Sequence, residues 1–144
     1  MDNRGVPNDL ASTDPVQQRL TDLRNGLLQH HKILLDSERD SYEHEIGKIT
    51  SSGQLLQLVI HDPWFAWLHE ISELIVFIDE TLESKEPLPP GEADKLIQQA
   101  RTLLIPAEEG EEFARRYDQA MQRDPDVVIA HGRMVKLLAK LREG

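Results

Sequence analysis

His69 and Glu73 stand one helical turn apart, so on a helix a ring nitrogen and a carboxylate point to the same side. Nitrogen and carboxylate oxygen together suit a transition-metal ion. His31 and His131 would add two more nitrogens if three helices met in register, giving a candidate metal set of His31, His69, Glu73 and His131. An i,i+4 His–Glu pair also arises readily by chance in a chain with 26 acidic residues. The competing reading puts His69 and Glu73 on a solvated edge and makes His31 and His131 hydrogen-bonded interface residues. A second cluster gathers His61, Trp64, Phe65 and Trp67 at a helix start. Free N–H groups and the positive end of the helix dipole suit an anion there, and tryptophan stacks on planar ligands. His61, Trp64 and Trp67 are therefore candidate cofactor-binding residues. The competing reading is that these aromatics close the end of a helical bundle and supply core area.

The spacing of His69 and Glu73 resembles that in hemerythrin-like iron-binding bundles, and the likeness stops at the spacing. No Glu-x-x-His occurs, which removes the usual ferritin-like di-iron pattern, and no His-x-x-x-His occurs either. The chain has no cysteine, so disulfides, thiolate metal sites and cysteine nucleophiles are excluded. It has neither a Gly-x-Ser-x-Gly elbow nor a phosphate-cradling glycine loop. The run Glu108, Glu109, Glu111 and Glu112 reads as a solvated helix start. No catalytic residue and no bound cofactor are expected; iron or haem is the alternative.

The elements that would position these groups are helices. Asp62-Pro63 is a helix start: Asp accepts from the first free N–H groups, and proline at the first position loses no hydrogen bond. Downstream, Leu68, Ile71, Ile75, Ile78 and Leu82 recur at spacings of three and four, with Trp64, Trp67, Leu74 and Phe77 widening the face. A helix apolar over so much of its circumference needs partners on several sides, so 61–83 is expected to be central. Thr13-Asp14-Pro15 repeats the signature. The helix it starts should run to about Lys48, on Val16, Leu20, Leu23, Leu27, Leu34, Ile46 and Ile49. His30 or His31 falls on this stripe. Between Leu35 and Ile46 the inward positions can only be Glu38, Ser41, Tyr42 or Glu45, so the lower half of this helix either offers polar groups to the interior or projects past the bundle. Gln54 to Ile60 is strongly apolar and helical in pattern, and it meets Pro63 at a bend. Ser84 to Gly91 is a non-helical connection. Ala93 to Ile105 forms a helix that Pro106 ends or kinks. Glu108 to Arg123 resumes with Phe113, Tyr117 and Met121 inward. Asp124-Pro125 opens the last helix.

No stretch shows sustained period-two alternation. The expected fold is all-α: an antiparallel four-helix bundle, its second helix bent near Pro63 and its third broken near Pro106. Residues 1–13 are read as a flexible arm and 14–144 as a single domain. The net charge of −10 argues against nucleic-acid binding. From Ile49 to Ser84 there is no Lys or Arg. The acidic 61–83 helix should therefore pair with Arg133, Lys136, Lys140 and Arg142. The longest apolar run, Leu74 to Ile78, is too short to span a membrane. The N-terminus lacks the apolar region of a signal peptide, so a cytoplasmic location is expected.

The stretch from Leu55 to Glu80, LLQLVIHDPWFAWLHEISELIVFIDE, resembles one found in uncharacterised bacterial helical proteins. The resemblance covers these residues alone. It implies a bacterial, cytoplasmic, helical protein, and no activity or functional residue. The expected function is a non-enzymatic helical module acting through protein–protein contacts, as a homodimer or with a regulatory partner. The alternative is a bundle binding a metal or planar cofactor through buried histidines. At ~100° per residue, Trp64 falls on the core stripe with Leu68 and Ile71, and Trp67 falls toward its flank. Trp64 is therefore expected in the core and Trp67 at a groove or interface.

Overall fold

A computed structural model describes residues 14–143; the arm expected over 1–13 lies outside them. The fold is all-α. Among the described residues there are six α-helices, one 3-10 segment and no strand. Helix α1 spans Pro15–Glu45, α2 Ser52–His61, α3 His69–Glu83, α4 Glu92–Leu103, α5 Glu112–Arg123 and α6 Pro125–Glu143. The 3-10 segment, Pro63–Leu68, joins α2 to α3.

The three Asp-Pro pairs act as their residue types dictate. Asp14 accepts from the Val16 N–H at 3.0 Å, Asp62 from the Trp64 N–H at 2.8 Å and Asp124 from the Asp126 N–H at 2.9 Å. Ser51 caps α2 by accepting from the Gln54 N–H at 3.0 Å. The four helices expected from the sequence thus become six. The bend at Pro63 is a full stop, because Asp62 is extended (φ −86°, ψ 134°) and α2 ends before it. The break at Pro106 separates α4 from α5, which starts four residues later than the spacing suggested, at Glu112. Helix α1 ends at Glu45, short of Lys48, and leaves Ile46 exposed while Ile49 is buried.

The central position expected of 61–83 belongs instead to α1. It packs against α3, α4, α5, α6 and the 3-10 segment. Leu20, Leu23, Leu27 and Leu34 are wholly buried along it. Helix α3 buries Ile71, Leu74, Ile75 and Ile78 but leaves Val76 and Phe77 in solvent. Charge pairing follows the same geometry. Asp79 of α3 pairs with Arg24 of α1, not with the C-terminal basic residues, because α1 is the helix that α3 packs on. Gly26 lies on the side of α1 that faces Met134 and Leu137 of α6. A Cβ there would stand 2.4 Å from Leu137 Cδ2, so the glycine admits a side chain of the neighbouring helix.

The tryptophan assignment is reversed. Trp67 is buried and Trp64 only partly so. The reason is the 3-10 winding of Pro63–Leu68, in which residues three apart eclipse. Phe65, three before Leu68, takes the core stripe, and both are wholly buried. Trp64, four before Leu68, is rotated off it.

Candidate functional site

Three features outside the general core carry polar chemistry or open surface. The first is a buried carboxylate. Glu38 sits on the inward face of α1, one of the polar positions the spacing left there, and is 2 % exposed. Its Oε2 accepts from Arg123 of α5 at 2.5 Å. Its Oε1 accepts from Arg116 at 3.4 Å and from the Trp67 indole N–H at 3.4 Å. Arg123 also donates to Ser37 Oγ, and Arg116 to the Trp64 carbonyl, both at 3.1 Å. Both carboxylate oxygens of Glu38 are engaged by protein groups, so the cluster ties α1, α5 and the 3-10 segment together. The sequence offered Glu38 only as one of four polar positions, with Ser41, Tyr42 and Glu45, and gave no sign of its arginines, because their contact depends on the register of α5 against α1.

The second is a relay of three rings. Tyr117 of α5 is wholly buried, and its hydroxyl lies 2.8 Å from His30 Nε2 and 2.7 Å from His131 Nδ1. One hydroxyl proton can serve only one of the two rings, so the other ring must donate to the oxygen. His30 Nδ1 is buried and has no partner among the described residues. An unpartnered lone pair costs less there than an unpartnered N–H. His30 therefore carries its proton on Nε2 and donates to Tyr117, Tyr117 donates to His131 Nδ1, and His131 keeps its proton on Nε2. Burial lowers the His30 pKa to about 4, helped by nearby His131 and His31. Burial also lowers His131 and holds the Tyr117 hydroxyl above its ordinary range. The relay is thus neutral at pH 7.

His131 lines a groove of about 380 Å³ between α4 and α6. The other lining residues are Gln98, Arg101, Thr102, Leu104, Ile105, Pro106, Met134, Val135, Leu138, Ala139 and Arg142. Neither Tyr117 nor this groove had a signal in the sequence. Tyr117 read as one more residue of the Phe113–Met121 stripe, and grooves between helices have no local pattern.

The third feature is α2. It is apolar, yet none of its residues is fully buried. Leu58 and Val59 rest against the core, while Leu56 and Ile60, one turn apart, are 56 % and 48 % exposed.

The sequence-derived metal set does not come together. His31 Nε2 bonds Ser72 Oγ at 3.0 Å, His69 Nε2 donates to the Val59 carbonyl at 2.9 Å, and Glu73 is exposed. His131 belongs to the relay. His31 and His69 are near enough for His69 to lower the His31 pKa, after burial, the larger cause. Among the described residues no three His, Asp or Glu side chains are placed to hold a metal ion. Nor is the aromatic corner one open site. His61 is exposed, Trp64 stands edge-on to Tyr42 at 5.6 Å, and Trp67 is buried against Phe113 and Glu38.

No helix among the described residues is long and apolar enough to cross a membrane. Comparison of the chain with known protein families, with curated proteins and with solved structures finds no match to any of them.

Proposed function

We propose that the chain is a non-enzymatic helical module that works through protein–protein contact, and that α2 makes the contact with a second copy of the chain. One observation carries this reading: Leu56 and Ile60 stand open on an apolar helix that buries none of its residues fully. Covering a leucine or isoleucine is worth roughly 1.5–3 kcal/mol, so leaving a pair of them in water on one helix face is costly unless something covers them.

Charge favours a second copy as the occupant. At net charge −10, two chains repel over most of their surface. From Ile49 to Ile60 there is no charged residue at all. This face is where another copy approaches with least repulsion, and a two-fold pairing of α2 with itself covers Leu56 and Ile60 of both chains.

The test is the double substitution Leu56→Glu with Ile60→Glu. Both side chains point to solvent in the single chain, so its fold should survive, with unchanged helical circular dichroism. Chromatographic mass should fall from two chains to one. A native chain already of single-chain mass would overturn the reading, as would a double variant that stays paired.

A further inference from the structure

The α4–α6 groove is a separate surface, and its lining is chemically lopsided. Its body is apolar, from Leu104, Ile105, Met134, Val135 and Leu138. Among the described residues its charges are Arg101 of α4 and Arg142 of α6. Among the described residues no acidic side chain lines it, although the chain has 26 acidic residues. Arg101 is held by Gln98 Oε1 at 3.0 Å, and neither arginine is ion-paired among the described residues. His131 contributes the ring whose Nδ1 is committed to Tyr117, leaving Nε2–H as its unengaged donor.

We propose that this groove binds a small amphipathic carboxylate, with its apolar body along Leu104, Met134 and Leu138 and its carboxylate between Arg101 and Arg142. The volume is that of a small-molecule site. Guanidinium groups match carboxylates in planar, two-point geometry, which explains why this chemistry is preferred over a neutral or cationic amphiphile. Arginines without an ion-pair partner among the described residues, on a strongly acidic chain, provide the charge complementarity. The relay fixes the ring of His131 from behind, so one wall of the groove is preset before a ligand arrives.

Decanoate is the probe, with decanol and decyltrimethylammonium as controls, in calorimetric titrations of the whole chain. Decanoate should bind once per chain and at least about tenfold more tightly than either control. Arg101→Gln with Arg142→Gln should weaken decanoate by about tenfold or more and leave decanol within about twofold. Both arginines reach solvent, and circular dichroism will establish that the variant folds. The Leu56→Glu, Ile60→Glu variant should bind decanoate as the native chain does, which separates this site from pairing through α2. The proposal fails if decanoate does not bind at millimolar concentration, if decanol or the cation binds as tightly, or if the arginine substitutions leave its affinity unchanged.

Discussion

Glu38 Oε2 lies 2.5 Å from Arg123, but the two partners differ in their access to water: the glutamate is 2 % exposed and the arginine side chain 36 %. Arg116, the second partner, is 24 % exposed. The arginines can turn outward if the carboxylate is removed; the carboxylate has no such escape if the arginines are removed.

Substitution should therefore be asymmetric. Arg116→Gln with Arg123→Gln strands a buried carboxylate and should cost on the order of 3–5 kcal/mol. Glu38→Gln should cost less, because both arginines regain water. Adding Glu38→Gln to the arginine pair should restore part of the loss. Urea unfolding of the four forms measures this cycle. A Glu38→Gln penalty larger than that of the arginine pair would show that Glu38 is not the trapped partner.

His30 makes stability depend on pH. Its folded pKa is about 4 against 6.5 for the free side chain. Between these values the unfolded chain binds more protons, so stability is full above pH 6.5 and is lost as pH falls toward 4. A shift of that size corresponds to roughly 3 kcal/mol. His31 and His131 are lowered as well and act in the same direction. His30→Gln, which keeps an amide donor toward Tyr117 but does not titrate, should flatten the stability curve between pH 7 and 4. An unchanged slope would mean His30 is not the group responsible.

The 3-10 winding of Pro63–Leu68 predicts the accessibility of the two indoles. Acrylamide should quench Trp64 in Trp67→Phe more readily than it quenches Trp67 in Trp64→Phe. Trp67→Phe should also be the less stable variant, since it removes an N–H from Glu38, whereas the Trp64 N–H is buried without a partner among the described residues. Equal or opposite quenching would restore the α-helical register that the bare spacing suggested.

The tryptophans show what the sequence could tell and where it stopped. The helices were legible because their signals are local: an aspartate beside a proline, a serine before a turn, leucines three and four apart. Glu38 was legible only as one of four polar candidates, with Ser41, Tyr42 and Glu45, because no apolar residue lies between Leu35 and Ile46 to fix the inward face. The 3-10 turn was not, because it keeps the i,i+3 spacing of an α-helix while changing the angle between residues. The partners of Glu38, the choice of His30 over His31 and the meeting of Tyr117 with His131 depend on how helices slide against one another. That register comes from packing events such as the fit of Leu137 over Gly26, which no single stretch encodes.

Pairing through α2 is tested most directly by sedimentation equilibrium of the native chain across micromolar concentrations at low and raised salt. The proposed contact face is apolar and uncharged while the rest of the strongly acidic surface repels a second copy, so added salt should screen the repulsion and strengthen association. Pairing through α2 should give a reversible equilibrium between one and two chains that shifts toward two as salt rises. A single-chain mass at every concentration and salt, or pairs that dissociate as salt is added, would contradict it.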